Sequence, residues 1–302
     1  MFWPYFLHIP KKSSTFAAKN DTNMAKIGVF DSGYGGLTIL EKMRHLLPEY
    51  DYIYLGDNAR TPYGTRSFEV IYEYTWQCVR HLLLKEDAAL VVVACNTASA
   101  RALRNIQQLD LIKIWEQDGS DVRRVLGVIR PTVERVAEYT KTGHVGVLAT
   151  PGTVASESYI LELEKQNPSL VVTQQACPMW VPLIENGEHS SAGADYFVRK
   201  YVDAILSRDS QIDTLILGCT HYPLLRKKIE AILPKGVQLL AQGDLVASAL
   251  TDYLHRHTAL EALISKNGRC EFLTTEQPDK FKQSASIFLN DVNISAKHID
   301  LQ

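Results

Sequence analysis

The sequence predicts an α/β protein with two doubly wound parallel-sheet domains, related by a pseudo-twofold axis, and an active site in the cleft between them. From Met24 onward, apolar strand patterns alternate with polar loops and amphipathic helix patterns, as expected for parallel sheets covered by helices on both faces. Two stretches are similar, VVVACNTAS around Cys95 and TLILGCTHYP around Cys219. In each, the apolar pattern of a buried strand is followed by a cysteine. Several motifs also recur at a nearly constant interval.

The elements follow in order along the first half of the chain. Strands are predicted in KIGVFD, YDYIYLGDN and ALVVVACN, and helices in LTILEKMRHLL, SFEVIYEYTWQCVRHLLLK and the stretch beginning SARALRNIQQ. In sheets of this type, ligands bind outside the carboxyl ends of the strands. The loops that follow these strands are therefore the first places to look for chemistry.

The second half repeats this pattern. KIGVFDSGYGG is matched by HVGVLATPGTV, which aligns Gly28 with Gly146 at an offset of 118 residues. LGDNARTPYG is matched more weakly by QACPMWVPLI at an offset of 120, and Cys95 precedes Cys219 by 124. Three similar offsets in the same order indicate an internal duplication, against the alternative of chance similarity between ordinary α/β strands.

The duplication suggests domain limits. We expect residues 1–23 to be a disordered extension or the product of a misplaced start, residues 24–119 with 242–302 to form the first domain, and residues 120–241 to form the second. The crossings are placed in the polar stretch IWEQDGSDVRR and in LLAQGDLVASAL, and CEFLTTEQPDKFKQSASIFL is interpreted as a final strand and helix. The extension has the wrong order of apolar and basic residues for a signal peptide.

Composition excludes several classes of function. The 302 residues carry a net charge of −2 with interspersed charges, which argues against a nucleic-acid partner. The apolar run from Ala88 to Cys95 is well short of the ~18 residues of a membrane span. Five widely spaced cysteines in a chain with ample apolar sequence indicate free thiols and a cytoplasmic location.

The two strand-end cysteines are the leading candidates for catalysis. A thiol at a helix start lies near the positive end of the helix dipole, so we expect a lowered pKa, with Asn96 and Thr97 capping the first helix and Thr220 the second. A small buried hydrophobic role is the alternative for either cysteine. The matched pair favours two thiols on opposite sides of one small substrate.

His221 lies two residues beyond Cys219. Such a pair is compatible with a nucleophile and its base or with metal ligands, but a structural zinc site needs four ligands and neither C-x-x-C nor H-x-x-x-H is present. We therefore expect no metal. His221 is interpreted as a proton-handling residue or as a simple capping residue.

The loop FDSGYGG places Asp31 and Ser32 at the end of the first strand, followed by glycines that let the backbone approach a ligand. Its pattern is neither G-x-G-x-x-G nor a P-loop, so no nucleotide cofactor is expected. Asp31 is compatible with a helix cap or with binding a substrate ammonium. The loops with Tyr63 and Gly64 and with Thr150 and Thr153 look individually like ordinary turns. Glu185 is interpreted as a solvated helix residue or, in the duplicated arrangement, as a residue near Cys219.

Taken together, six motifs identify a resemblance. FDSGYGG, GDNARTPYG, ACNTAS, LATPGT, CPMWVPLIENG and LGCTHYPLL occur in the order and spacing of the glutamate racemases in the aspartate/glutamate racemase superfamily. The resemblance extends from Met24 to about Leu289. Arg130, where a glutamate is common, and Tyr34, at the variable position of the first motif, are minor departures.

The resemblance implies cofactor-independent interconversion of L-glutamate and D-glutamate, which supplies D-glutamate for peptidoglycan, and a homodimer. It implies that Cys95 takes the α-proton from D-glutamate, that Cys219 returns a proton to the opposite face, and that Asp31 assists the first thiol while His221 and Glu185 assist the second. The positions that match substrate contacts are Asp31, Ser32, Tyr63, Gly64, Asn96, Thr97, Thr153, Thr220 and His221.

The physical chemistry of the residues agrees with a two-thiol reaction, because inversion at one carbon requires a proton to leave one face and another to arrive at the opposite face. Three alternatives stay open. One is a racemase of another acidic amino acid, such as aspartate. The others are a non-catalytic protein that binds an acidic metabolite and a thiol hydrolase that uses Cys219 with His221.

Overall fold

The computed structural model describes residues 25–119, 121–289 and 294–301. The predicted extension, residues 1–23, lies outside the described residues. Within them, the strands form two parallel sheets, one of six strands and one of four. The predicted α/β class with two parallel sheets is confirmed.

Ten strands make up the two sheets in the described part of the chain. They are β1 (Lys26–Asp31), β2 (Tyr52–Gly56), β3 (Ala88–Val93), β4 (Arg124–Gly127), β5 (His144–Ala149), β6 (Val171–Ala176), β7 (Thr214–Gly218), β8 (Gln238–Leu240), β9 (Cys270–Thr274) and β10 (Ala296–His298). All residues of β2, β3 and β7 are buried. Continuous apolar runs of this kind are typical of parallel strands covered on both faces.

The two sheets share one strand order. The first sheet runs β10-β9-β2-β1-β3-β4 and the second β6-β5-β7-β8, so the order β2-β1-β3-β4 recurs as β6-β5-β7-β8. Gly28 and Gly146 are each the third residue of the corresponding strands β1 and β5. This recurrence is what the predicted duplication requires, and it makes the ends of β3 and β7, where Cys95 and Cys219 follow, equivalent positions.

Fourteen α-helical segments connect or cover the strands in the residues that the structure describes. They are α1 (Leu37–Leu46), α2 (Phe68–Leu84), α3 (Asn96–Arg101), α4 (Leu103–Asn105), α5 (Leu111–Asp118), α6 (Ile129–Val136), α7 (Pro151–Ala155), α8 (Ser158–Gln166), α9 (Trp180–Glu185), α10 (Ala192–Arg208), α11 (Arg226–Glu230), α12 (Gly243–Arg256), α13 (Thr258–Glu261) and α14 (Pro278–Ala285). Short 3₁₀ turns at Asn58–Arg60, Glu188–Ser190 and Tyr222–Leu225 and a π-helical turn at Ile106–Asp110 complete the described helical structure.

The predicted domain boundary at residue 120 needs correction. Strand β4 hydrogen bonds to β3, with Val91 paired to Val125, and so extends the first sheet beyond that boundary. The stretch interpreted as a polar interruption is partly helix α5, which ends at Gly119 in the left-handed conformation (φ 64°). The polar residues misled the prediction because they lie on the exposed side of α5 and in the short loop before β4. The division into two domains stays a prediction, with this boundary moved beyond β4.

The apolar core connects the two sheets. Val29 of β1 and Leu217 of β7 belong to one continuous cluster of buried side chains, while Phe30 of β1 faces a second cluster on the opposite side of its sheet. Helix α12, which follows the last strand of the second sheet, packs along α1. The two halves are thus held together by shared apolar burial.

No helix among the described residues is long and apolar enough to cross a membrane.

The contribution of the shared core can be tested with two leucines on one helix. Leu40 of α1 is fully buried, whereas Leu46 is 48% exposed. We expect Leu40→Ala to lower the free energy of unfolding by about 2–5 kcal/mol because it leaves a cavity. The matched control, Leu46→Ala, should change it by no more than about 0.5 kcal/mol. Urea denaturation measures both, and equal losses would contradict the packing described for α1.

Candidate active site

A cavity lies at the carboxyl ends of the central strands of both sheets. It is lined by residues that follow β1, β2, β3, β5, β6 and β7, as expected for open parallel sheets. The lining residues are Ser32, Thr61, Pro62, Tyr63, Gly64, Thr65, Cys95, Asn96, Thr97, Thr150, Pro151, Cys177, Pro178, Val181, Pro182, Cys219, Thr220 and His221. Both predicted thiols therefore border the same space.

Cys95 lies where β3 ends and α3 begins. Its backbone is still extended, and its Sγ accepts a hydrogen bond from the Ala98 amide at 3.4 Å, so the cysteine itself caps α3. The prediction that Asn96 and Thr97 supply the cap is wrong, because both residues lie inside the first turn of the helix. The Ser32 hydroxyl lies 3.2 Å from the Cys95 Sγ and links the thiol to the loop after β1.

The pKa of Cys95 is opposite to the prediction. Burial, with a smaller contribution from the nearby negative charge of Asp31, raises it to about 12, and the hydrogen bonds from Ser32 and Ala98 only partly oppose that rise. Helix α3 has six residues, so the favourable effect of its N-terminus is smaller than the cost of an anion in a site that excludes water. In the described site, Cys95 rests as a neutral thiol.

Cys219 has a different set of neighbours. Its Sγ lies 3.8 Å from His221 Nδ1, and His221 Nε2 lies 2.9 Å from Glu185 Oε1. Thr61 donates a weaker hydrogen bond of 3.3 Å to the same carboxylate oxygen. The three side chains form a thiol, imidazole and carboxylate series that begins at the cavity and ends at α9.

His221 is held as a cation. Burial lowers the pKa of the imidazole, but hydrogen bonds to Cys219 and Glu185 and the charges of these groups outweigh burial, so the pKa lies well above its ordinary value. The two thiols are therefore in opposite electrostatic surroundings, with Asp31 near Cys95 and His221 beside Cys219.

Asp31 lies outside the lining of the cavity and is fully buried. One carboxylate oxygen accepts from the Gly33 amide at 2.9 Å, and the other accepts from the Thr220 hydroxyl at 3.4 Å. Burial raises its pKa, and His221 and the amides of Gly33 and Gly36 partly oppose that rise. In this structure Asp31 is linked to the cavity through Thr220. Its contact with a ligand stays a prediction.

Gly35, in the loop after β1, lies against the residues that follow β7. A methyl group at Gly35 would lie 2.4 Å from both His221 Nδ1 and Thr220 Oγ1. The absence of a side chain thus lets this loop approach those residues. The approach of the loop to a ligand stays a prediction. The Thr38 hydroxyl, just inside α1, extends the contact by donating to the Thr220 carbonyl at 3.1 Å.

Threonines join the two sides of the cavity near Cys95. The Thr97 hydroxyl lies 2.9 Å from that of Thr150, which caps α7, and 3.4 Å from that of Thr153. The Gly152 amide donates to the Gly64 carbonyl at 2.8 Å. Thr97, Thr150 and Gly64 line the cavity, whereas Thr153 is fully buried behind them.

Tyr63 and Asn96 line the cavity with side chains that already have partners. The Tyr63 hydroxyl donates to the Asp57 carboxylate, and burial raises its pKa well above the ordinary value. The Asn96 amide donates to Gln242 Oε1 at 2.7 Å, and its oxygen accepts from the Tyr159 hydroxyl at 2.8 Å. Both side chains are held in fixed orientations.

Most of the predicted site residues meet at the cavity, and three of them do not line it. Asp31, Thr153 and Glu185 lie one residue behind the lining, where they contact Thr220, Thr97 and His221 respectively. Thr61, Thr65 and Cys177 were not predicted to be site residues, and the sequence pattern around Thr150 indicated only an ordinary turn. The internal repeat could have indicated Thr150 as a site residue, because it follows β5 at the position that corresponds to Ser32 after β1.

Among the residues that the structure describes, no group of three or more histidine, cysteine, aspartate or glutamate side chains is arranged to hold a metal ion.

Comparison with known proteins identifies the family. A family model described as Asp/Glu/Hydantoin racemase matches residues 27–250 of the chain. The chain belongs to the Asp/Glu/hydantoin racemase family. The resemblance inferred from the six motifs is confirmed.

Individual relatives cover almost the whole chain. A glutamate racemase of Geobacter metallireducens is 38% identical over 263 residues, which is 87% of this chain and 92% of that protein. The crystal structure of the glutamate racemase isoform RacE1 from Bacillus anthracis has a TM-score of 0.81 at 33% identity and covers 92% of this chain and 98% of its own. The Francisella tularensis glutamate racemase in complex with D-glutamate has a TM-score of 0.77 at 32% identity and the same two coverages.

The close approach at Gly35 can be tested directly. We expect Gly35→Ala to push His221 away from Cys219 and Glu185, so that the His221 pKa falls toward the ordinary value of about 6.5. NMR titration of the imidazole, assigned with a His221→Gln variant, measures this. Gly193→Ala on α10 is the matched control, because the nearest atom there is an ordinary 3.4 Å contact. An unchanged His221 titration in Gly35→Ala would contradict the contact.

Proposed function

We propose that this protein interconverts L-glutamate and D-glutamate without a cofactor by a two-base mechanism, with Cys95 and Cys219 as the two proton carriers. The observation that carries the proposal is the placement of both thiols, from equivalent strand ends of the two sheets, at one cavity. Membership of the racemase family and similarity to glutamate racemases along nearly the whole chain support it.

Two carriers are needed because the reaction inverts a carbon. A base that removes the α-proton leaves a planar carbanion, and the opposite enantiomer forms only when a proton arrives at the other face. One base would have to move around the substrate. Cys95 and Cys219 instead approach from the ends of strands in different sheets, so neither has to move far.

The α-proton of an amino acid is much less acidic than a thiol, so the site must lower the energy of the carbanion. Fixed hydrogen-bond donors in a water-excluding cavity do this best, because they need no reorganisation when charge develops. Here the first turn of α3, at Asn96 and Thr97, and Thr220 border the cavity. These groups also suit the two carboxylates of glutamate.

The two thiols have different resting states in this mechanism. Cys95 is a neutral thiol with a pKa raised to about 12, so it is ready to donate a proton to the carbanion formed from L-glutamate. In the opposite direction, its thiolate is a strong base that takes the α-proton from D-glutamate. Ser32, 3.2 Å away, orients the sulfur toward the cavity.

Cys219 acts on the opposite face with the help of His221 and Glu185. The imidazolium stabilises the thiolate that removes the α-proton from L-glutamate, and it keeps a proton within reach when the thiol must be restored. Glu185 holds the imidazole by its second nitrogen. Asp31 acts on both half-sites by its charge and through Thr220.

The finer assignments follow the same reasoning. The product D-glutamate is supplied for peptidoglycan synthesis, the role general to this family, and a racemase of aspartate is the alternative. A homodimer and a cytoplasmic location are further parts of the proposal. The homodimer rests on the resemblance to glutamate racemases, and the cytoplasmic location rests on the pattern of free cysteines.

The decisive experiment is incubation of the full chain with L-glutamate or D-glutamate in deuterium oxide without added cofactor. We expect optical rotation to approach zero from either enantiomer while the α-proton is replaced by deuterium. The same assay with aspartate tests the alternative substrate. Absence of both racemisation and exchange with glutamate would exclude the proposal, and a requirement for pyridoxal phosphate would exclude the mechanism.

Serine variants test the roles of the thiols. We expect Cys95→Ser and Cys219→Ser each to lower kcat by at least about 10³-fold, because a serine hydroxyl is a far weaker acid and base at these positions. Cys270→Ser, in a strand remote from the cavity, is the matched control and should keep full activity. A hydrolase that depends on Cys219 and His221 would keep its activity in Cys95→Ser, which is the opposite outcome.

The pH dependence tests the part played by Glu185. Its hydrogen bond and charge help raise the pKa of His221, so Glu185→Gln should lower that pKa. The alkaline limb of kcat/KM, where the imidazolium loses its proton, should then move to lower pH, with a loss of about 10–100-fold at the optimum. Glu188→Gln, in the exposed turn after α9, is the control. A loss of activity without a shift of the limb would mean that Glu185 has only a structural role.

A further inference from the structure

A closed ring of side-chain hydrogen bonds lies next to the Cys95 half-site. Asn96 Nδ2 donates to Gln242 Oε1 at 2.7 Å, Gln242 Nε2 donates to the Tyr159 hydroxyl at 2.8 Å, and that hydroxyl donates to Asn96 Oδ1 at 2.8 Å. Gln242 Nε2 also donates to the Thr132 hydroxyl at 2.9 Å and to the Val128 carbonyl at 3.2 Å. Tyr159 and Gln242 have no role in the mechanism proposed above.

The members of the ring come from distant parts of the chain. Asn96 is the first residue of α3 and immediately follows Cys95, while Tyr159 lies on α8 and Gln242 lies between β8 and α12. Tyr159 is fully buried and the other two are 2% exposed. Of the three, only Asn96 lines the cavity. The ring therefore connects a cavity residue to two residues that a ligand in the cavity does not reach.

The ring is directional. Each member donates once and accepts once within it, and the Val128 carbonyl, which can only accept, fixes the position of Gln242 Nε2 and so the direction of the ring. A rotated Asn96 amide would place a donor against the Tyr159 hydroxyl and an acceptor against the Gln242 carbonyl oxygen. Two buried polar groups would then lose their partners, which is costly in a site that excludes water. Burial raises the pKa of Tyr159, so its hydroxyl keeps the proton that it donates. Asn96 thus has one orientation.

We propose that Tyr159 and Gln242 are positioning residues, which hold the Asn96 amide in the one orientation that leaves its second Nδ2 hydrogen available to a carboxylate oxygen of the substrate. The proposal rests on the function proposed above. It extends that function by assigning roles to two residues that do not touch the substrate. Fixing the first residue of α3 also fixes the place of Cys95, its chain neighbour.

The kinetic test compares two tyrosines that each lose one buried hydroxyl. Tyr159→Phe breaks the ring without removing the aromatic ring, and Tyr52→Phe removes a hydroxyl that donates to the Leu47 carbonyl at 2.9 Å, away from the cavity. Both should lower the melting temperature by a similar few degrees, about 2–4 °C. Only Tyr159→Phe should lower kcat/KM for glutamate, by about 10–100-fold. Equal kinetic effects of the two variants would overturn the proposal.

A double-mutant cycle separates positioning from general stability. If Tyr159 acts through Asn96, the Tyr159→Phe/Asn96→Ala double variant should have the same kcat/KM as Asn96→Ala alone. Multiplied losses would overturn the proposal, because they would show that Tyr159 acts by another route. Gln242→Glu, which keeps the shape and the acceptor but replaces the donating NH₂, should resemble Tyr159→Phe.

One readout does not depend on turnover. The side-chain NH₂ signals of Asn96, assigned by their loss in Asn96→Ala, should exchange slowly with deuterium oxide in the wild-type protein and in Tyr52→Phe, and rapidly in Tyr159→Phe. Unchanged exchange in Tyr159→Phe would overturn the positioning role. A wild-type protein that shows protected signals but no racemisation of glutamate would instead contradict the proposed function, so the two failures are distinguishable.

Discussion

The contact between the loop after β1 and the residues after β7 is the interaction on which the rest of the site depends. Gly35 has room for no side chain because His221 and Thr220 occupy the space that a methyl group would need. Asp31 anchors the same contact by accepting from Gly33 and Thr220. One short loop therefore sets the distance between two sheets and, with it, the width of the cavity between the thiols.

Burial then decides how the charges of the site behave. The burial that raises the pKa of Cys95 to about 12 also strengthens the electrostatic interaction between the His221 imidazolium and Cys219. A twofold arrangement of strands consequently holds a chemically asymmetric pair of half-sites. Ser32 and the start of α3 contact one thiol, while an imidazole and a carboxylate assist the other. The asymmetry arises from loops and helix ends rather than from the strands, because the order β2-β1-β3-β4 of the first sheet recurs as β6-β5-β7-β8 in the second.

Strand patterns and motif spacing predicted much of the fold and the site. The duplicated cysteines, the loop with Ser32 and the residue His221 all lie where the ends of parallel strands place them. Two kinds of error remained. The polar sequence before β4 was mistaken for a domain crossing, although β4 pairs with β3. The helix start beside Cys95 predicted a lowered pKa, because a sequence shows the dipole of a helix but not the depth of burial that opposes it.

The sequence alone determined the α/β class, the repeated order of elements and the identity of the two thiols, because these depend on local apolar patterns and on which residue follows each strand. Only the tertiary structure decided which side chains touch. Asp31 meets Thr220 across 189 positions of sequence, and Asn96 meets Gln242 across 146. Such contacts depend on how two sheets pack against each other, which requires the whole apolar core and cannot be obtained from the local pattern around any one residue.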